Sequence, residues 1–561
     1  MLLTSCSGKL GALSADNFSV VPNPLESNGG NVSATINGMF PEGYMKKKAV
    51  VTVIPELRYG NGQVARGEAA TFQGEKVEGN DQTIAYKVGG NYTMKTNFKY
   101  VPEMQKSELY LTFDAKIGNK QQEVPAIKVA DGVVSTGELG YVTVKQATPS
   151  VSTDAYQRII EKKQDANIKF LIQQANLRSS ELKNNSVKEF VDLLKKIQKE
   201  KETLALKNVE VSAYASPDGG FDLNDKLANK RQTNTETYVK QQLKKTKNTG
   251  ANVDAKYTAQ DWDGFQELVK VSNIQDKDVI LRVLSMYKDP EEREQQIKNM
   301  SSVFRELADG ILPQLRRSRM TINYEVIGRS DEQIQDQYKS DASKLSLEEL
   351  LYNAALTNNA AEKEDIFKTT TKLFPNDARA FNNLATLAYQ RGDYSAAKSY
   401  ADKALAIDSK NADAKANLGL VALAEGDVAK AENLISQASG ASNIQEALGN
   451  LHIAQGKYAQ AEQDLANVNS NTAALAQILN KNYSAAASTL SNIKNPDATT
   501  DYLKAILSAR QGNTSDAASA LRNAISKDPV WAKYAAQDLE LLNGSTSRMK
   551  KTLRYILHTT V

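Results

Sequence analysis

The chain is poor in the residues that most often carry chemistry. It has one cysteine and two histidines among 561 residues. A zinc site or a Cys–His nucleophile needs several such side chains converging, and Cys6, His452 and His558 cannot assemble one. No calcium-loop spacing of carboxylates is present. Glycoside hydrolysis would need two carboxyl groups facing each other across a cleft. Acids such as Glu189 and Asp192 are not singled out for such a pairing by any pattern. The chain also lacks any apolar run long enough to span a bilayer. Its net charge of +4, with both signs mixed throughout, lacks the concentrated basic face of a nucleic-acid binder. What remains is an ordinary composition, 41% hydrophobic and 24% charged, in a chain long enough for three or four domains. The expectation is a non-enzymatic protein without a cofactor or metal.

The lone cysteine stands near the printed start, in M-L-L-T-S-C-S-G-K. Leu3-Thr4-Ser5-Cys6 resembles a bacterial lipobox, in which the cysteine is lipidated. Such a box follows a basic segment and an apolar segment, so the natural start is expected upstream. A triacylated Cys6 would anchor the chain stably in a membrane. The flexible stretch to residue 13 reads as a tether. It lacks the acidic run that resembles the surface-export signal of Bacteroidetes lipoproteins. The resemblance therefore implies an outer-membrane lipoprotein facing the periplasm.

Residues 14–150 alternate apolar and polar positions in short runs: V-S-A-T-I-N-G, A-V-V-T-V-I-P, Q-T-I-A-Y-K-V-G-G, E-L-Y-L-T-F-D-A-K-I and G-Y-V-T-V-K. Asn-Gly, Gly-Gly and Gly-Asn pairs separate them. The pattern predicts one or two antiparallel, immunoglobulin-like sandwiches serving as a spacer or docking module. Residues 151–330 alternate strands and helices. I-K-F-L-I predicts a strand. Val187, Phe190, Val191, Leu194 and Ile197 mark the apolar face of a helix. Asp289-Pro290-Glu291-Glu292 predicts a helix start, and M-T-I-N-Y-E-V-I a closing strand.

Between these elements lies V-E-V-S-A-Y-A-S-P-D-G-G, followed by a helical pattern opening near Asn224. Helical spacing places Asn224, Leu227, Arg231, Asn234 and Tyr238 on one face, with Leu227 and Tyr238 turned to the sheet. An arginine in that stripe must meet an anion or reach solvent. Two readings fit: Arg231 and the helix N-terminus hold a small carboxylate, or Arg231 snorkels or pairs with Asp222 or Asp225.

Three stretches together resemble the OmpA-like peptidoglycan-binding domain. They are I-K-F-L-I-Q-Q-A-N-L-R-S-S-E-L, A-Y-A-S-P-D-G-G-x3-N-x2-L-x3-R-x6-Y-V and L-R-R-S-R-M-T-I-N-Y-E-V. The resemblance covers residues 160–328 and implies a β-α-β-α-β fold, here with a helical insertion over 258–315. It also implies that Arg231 holds the carboxylate of diaminopimelate and that Asn224 belongs to the site. The family's ammonium-binding aspartate falls on Ser216, and Asp218 is the nearest acid that could stand in for it. The Ala-Ser-Pro-acid-Gly variant and Asp261-Trp262 resemble the Bacteroidetes branch of the family.

Residues 331–345 are polar and read as a linker. Beyond them Leu384 and Leu418 lie 34 residues apart, as do Gly392 and Gly426. Gly456 and Gly512 mark further turns, each followed by small residues. Residues 350–540 resemble tetratricopeptide repeats, which stack helix pairs into a superhelix with a peptide-binding groove. Tyr389, Tyr394, Tyr400 and Tyr458 read as packing. The basic, apolar tail over 546–561 reads as a terminal helix or as a contact for anionic lipid or a partner.

The fold expected is therefore multidomain. It runs from a lipobox and tether (1–13) through an all-β region (14–150) and an α+β OmpA-like domain (151–330) to the linker (331–345). An all-α tetratricopeptide solenoid (346–545) and the tail follow. The function implied is a scaffold or tether, with peptidoglycan at the OmpA-like site, a protein in the repeat groove and the outer membrane at Cys6. The alternative is a subunit of an outer-membrane assembly or secretion complex whose OmpA-like domain has lost peptidoglycan. No nucleic-acid partner is expected.

Overall fold

The computed structural model describes residues 9–274, 276–299 and 301–543. Cys6 and the tail from 546 lie outside them. The chain divides into two compact units, Ala155–Glu349 and a second made of Met1–Asp154 with Leu350–Val561. The N-terminal β region and the C-terminal helices thus belong together, while the middle of the chain folds as its own body.

The β region is one sandwich of two sheets around a single core. Alternation builds it: in Asn31–Phe40, Val32, Ala34, Ile36 and Phe40 point inward, and the polar residues between them point out. Ala49–Tyr59 supplies Ala49, Val51, Val53 and Leu57 from the other sheet. Phe40, Phe72 and Tyr92 pack ring against ring, with centroids 4.3–5.2 Å apart. The sandwich ends at Val133–Val134, which pairs with Leu25 and Glu26. The expected strand in G-Y-V-T-V-K is instead a helical turn over Gly140–Thr143, continued by Val144–Gln146. Its alternation is overridden because the segment lies on helices rather than beside a strand.

The middle unit is a four-stranded sheet in the order Ile159–Lys169, Arg317–Ile327, Leu204–Tyr214, Asn252–Thr258. Only the last pair is parallel. Helices Asn185–Lys199 and Phe221–Lys245 share one core with the sheet. Val187, Phe190, Leu194 and Ile197 are buried as predicted, and Asn184 caps that helix by accepting from Val187 N at 2.8 Å. The strand expected at I-K-F-L-I begins earlier and ends at Lys169, so Leu171 and Ile172 are exposed in a turn. Asn252–Thr258 is a fourth strand that the reading did not anticipate. The insertion forms helices from Trp262 to Leu315 around its own core of Trp262, Phe265, Val269, Ile280 and Leu284. Its helix Pro290–Asn299 starts as expected, with Asp289 Oδ1 accepting from the amides of Glu291 and Glu292.

The polar segment expected as a linker is a helix, Asp331–Asp341. Ser330 and Gln333 cap it reciprocally, and Ile334 is fully buried.

The C-terminal region is a helical array. Five pairs follow one another: Ala378–Gln390 with Tyr394–Ile407, Ala412–Ala424 with Val428–Ile435, Ile444–Ala454 with Tyr458–Asp464, Asn471–Leu479 with Tyr483–Asn492, and Ala498–Arg510 with Thr514–Lys527. Small residues let the helices approach: a Cβ on Gly419 or Gly449 would run into Ile435 or Leu465. Tyr389 is buried, and Tyr394 and Tyr400 are half-buried against the same core, as the packing reading has it. Gly392, Gly426, Gly456 and Gly512 turn four of the pairs with φ between 73° and 85°. The remaining turn carries Lys481 at φ 63°. That substitution, with the shorter spacing, hides the fourth pair from a glycine-based reading.

Candidate functional site

Among the described residues, two places have the make-up of a binding site. The first surrounds Arg231. The helix that carries it begins at Phe221 rather than at Asn224, with Gly220 as N-cap. Its buried stripe is Asn224, Ala228, Arg231, Thr235, Val239 and Leu243. Leu227 and Tyr238 are only half-buried, at the flank of that stripe.

Arg231 is 1% exposed. It neither snorkels nor pairs with Asp222 or Asp225. Its Nη1 donates to the carbonyl of Tyr214 at 2.8 Å, its Nε to Gln174 at 2.9 Å and its Nη2 to Leu171 at 3.3 Å. The guanidinium also lies over the Phe170 ring, 4.9 Å from its centroid. Asn234 fastens the same loop by donating to Ala175 O at 2.9 Å. Gln173, in that loop, takes the left-handed conformation at φ 56°. Burial, with the charge of Arg316 beside it, lowers the Arg231 pKa to about 10, so the side chain stays cationic at neutral pH. Carbonyl dipoles therefore take the place a carboxylate would fill.

Ser216 and Asp218 are engaged as well. The Ser216 hydroxyl bonds to the Asp218 carboxylate. Arg316 Nη2 reaches Asp218 Oδ2 at 3.1 Å, and its Nε reaches Ser216 Oγ at 3.2 Å. Asn224 turns its amide away from any ligand, donating to Ser216 O at 2.9 Å and to Gly219 O at 2.8 Å. It thereby holds the Pro-Asp-Gly-Gly turn closed. Arg317 completes the cluster, 2.9 Å from Asp261 and over the Tyr214 ring. The structure does bring Ser216, Asp218, Asn224 and Arg231 to one end of the sheet. Sequence reasoning missed Arg316. Its signal was the doubled arginine ahead of an alternating strand.

The second place is the face of the array formed by the first helix of each pair. Residues 135–154, between the sandwich and the middle unit in sequence, run along it as a strap. Near its start Thr136 donates to Glu540 at 2.9 Å, and Ser135 lies 3.2 Å from the Tyr534 hydroxyl. Leu139, Val144 and Ala147 then enter the array's own hydrophobic cores, and Tyr389 donates to the Val144 carbonyl. From Ser150 the contacts are hydrogen bonds, to backbone and to serine hydroxyls. Asn417 accepts from Ser150 N at 2.7 Å and donates to Ser150 O at 2.8 Å. Asn383 treats Ser152 in the same way, at 2.8 and 3.1 Å. Asn382 donates to Ser150 O and Ser152 Oγ, and Asp413 accepts from Ser152 Oγ at 2.8 Å. Asn443, Ser442 and Arg379 donate to the carbonyls of Thr148, Val151 and Asp154. Ser150 is 1% and Ser152 6% exposed, whereas Val151 between them is 47% exposed.

The groove expected to receive a partner thus holds the chain's own backbone. Asn383 and Asn417 stand 34 residues apart, each just before the leucines that mark the repeat. A polar residue recurring at an inward position of that period was the available signal.

A tetratricopeptide-repeat family model matches residues 388–443. Solved structures similar to the chain include a tetratricopeptide repeat protein from Parabacteroides merdae, 12% identical over 47% of this chain and 98% of that one, with a TM-score of 0.28. The Pseudomonas aeruginosa protein pilF is 19% identical over 37% of this chain and 100% of that one, with a TM-score of 0.27. YrrB, described as a tetratricopeptide protein with an unusual peptide-binding site, is 17% identical over 37% of this chain and 100% of that one, with a TM-score of 0.22. No curated protein matches the chain. Among the described residues no helix is long and apolar enough to cross a membrane, and no cluster of metal-ligating side chains occurs.

Proposed function

We propose that this chain is a non-enzymatic scaffold, held by a lipidated Cys6 on the periplasmic side of an outer membrane. It serves there as an accessory subunit of a protein assembly or secretion complex. The array supplies protein contact, in keeping with its repeat family. The immunoglobulin-like sandwich is bound into the array through the strap. The middle unit has the strand and helix order of an OmpA-like domain, extended by one strand and the helical insertion, and acts as a docking body rather than as a grip on peptidoglycan.

The observation that carries this reading is the occupancy of Arg231. All three of its nitrogen positions donate to main-chain carbonyls. Asp218, the nearest acid to the missing aspartate, is spent on Arg316. A diaminopimelate carboxylate would have to displace the carbonyls of 171 and 174, and its ammonium would meet Ser216 already bonded to Asp218. Partly buried, hydrogen-bonded ion pairs of this kind are costly to break from one side.

Sedimentation with purified sacculi tests it. The wild-type protein and Arg231→Ala are both expected in the supernatant. Wild-type protein in the pellet would overturn the docking reading in favour of a cell-wall tether. Cys6→Ala in cells tests the anchor, and the variant is expected to leave the membrane fraction.

A further inference from the structure

The strap is not held uniformly along its length. Over 139–147 it contributes Leu139, Val144 and Ala147 to hydrophobic cores. From Ser150 to Asp154 no side chain enters one. That stretch is held by polar groups, through its main chain at Ser150, Val151, Ser152 and Asp154 and through the hydroxyls of Ser150 and Ser152. Its one large side chain, Val151, points to solvent. A hydrogen-bonded stretch without apolar burial costs least to peel away, because water can replace each bond as it breaks.

The two asparagine clamps also define what they accept. Each asks for an N–H and a C=O on one residue, with the second such residue two positions on, as in an extended chain. The space at those two positions is closed around serine. Ser152 Oγ is bonded to Asn382 and Asp413, and Ser150 Oγ accepts from Asn443 N at 3.1 Å. The residue between is free to vary. An anion is disfavoured at the second serine by Asp413, and a large side chain at either is excluded by burial.

From this we infer that the first two repeats carry a recognition site for an extended Ser-x-Ser segment of a partner protein. Residues 148–154 plug that site in cis until the partner displaces them. The resident strap is the template for the partner's chemistry. The strap is tethered beside the site, so its effective concentration is of millimolar order, and a free peptide competes poorly against it. The native chain is thus closed to casual ligands and open to a partner delivered at high local concentration. This deepens the scaffold reading of the array, and it stands apart from the sacculus test, which bears only on the middle unit.

The test uses the full chain and a fluorescein-labelled peptide of sequence A-T-P-S-V-S-T-D, with fluorescence anisotropy as the readout. Ser150→Pro with Ser152→Pro removes both amide donors from the strap and leaves the asparagines intact. Ser152→Arg is a second release variant, which keeps the amides and places a charged chain in the closed position. Hydrogen exchange reports whether the strap has left, and thermal melting whether the fold survives. At least tenfold tighter peptide binding by a folded release variant than by the wild type is expected. Adding Asn383→Ala and Asn417→Ala should abolish the gain. Equal binding by wild-type and release variants, or binding that survives loss of both asparagines, would overturn the proposal. So would a strap that stays protected in both release variants, since the clamps would then not be what holds it.

Discussion

The Arg231 pocket and the inner face of the array are both filled by the chain itself, but by opposite means. In the middle unit a side chain reaches out and takes backbone: one guanidinium collects three carbonyls from a loop and a strand end. In the array the side chains stay in place and the backbone comes to them, two residues of strap each held by one asparagine at two points. The first closure buries a full charge, so it is rigid and expensive to undo. The second uses neutral amides, and each bond is worth only about 0.5–1.5 kcal/mol net. One arrangement is built to stay shut, while the other can open.

That contrast can be broken or sharpened by substitution. The largest effect is expected at Arg231. Arg231→Ala leaves the carbonyls of Leu171, Gln174 and Tyr214 without their donor and opens a cavity, at a cost of about 3–5 kcal/mol in the stability of the middle unit. Urea denaturation followed by circular dichroism measures it. A loss below about 1 kcal/mol would mean that the pocket is looser than its bonds indicate.

Asn383→Ala with Asn417→Ala should cost less, about 2–4 kcal/mol for the two together. Its signature is local: amides 150 and 152 should exchange much faster, while those of the sandwich strand Asn31–Phe40 keep their protection. Uniform loss of protection would show that the strap does not open on its own.

Glu446, on the third inner helix, is 3% exposed, and burial raises its pKa to about 7. The folded protein therefore keeps this proton after the unfolded chain has released it near pH 4.5. Stability contributed here falls as pH rises from about 4.5 to about 7 and is level above that, a loss of up to about 3 kcal/mol. Glu446→Gln should flatten that slope and melt higher than wild type at pH 8, with little difference at pH 4.5. Thermal melts at the two pH values decide it.

The smallest effect is expected at Lys481, which stands where the other turns have glycine. Lys481→Gly removes the left-handed strain and should add up to about 1 kcal/mol to the array. An equal loss would show that the lysine side chain supports the turn.

Much of this arrangement was legible in the sequence, and the illegible part has a common cause. Inward alternation revealed the sandwich, and the 187–197 stripe and Asp289-Pro290 revealed helices, because each pattern is local and matches one period. The 34-residue spacing revealed the array until Lys481 replaced a glycine. Ser330 and Gln333 form a capping box that was readable, yet polarity alone suggested a linker. Arg231, Asn224, Ser216 and Asp218 were grouped from the sequence, since they lie on one loop and one helix. Their partners were not, because Arg316 and the carbonyls of 171 and 174 come from distant segments. The strap was hidden most deeply. G-Y-V-T-V-K alternates as a strand would, and only its docking on helices turns it into a helical segment. Patterns within an element survive translation into structure; self-occupancy is a property of pairs of elements.

Residues 148–154 occupy the inner face of the first two repeats. Hydrogen exchange of the full chain at the Ser150 and Ser152 amides tests it most directly. Slow exchange is expected at both, with acceleration of both when Asn383 and Asn417 are replaced by alanine. Exchange of the wild-type amides at the rate of an exposed linker would contradict it.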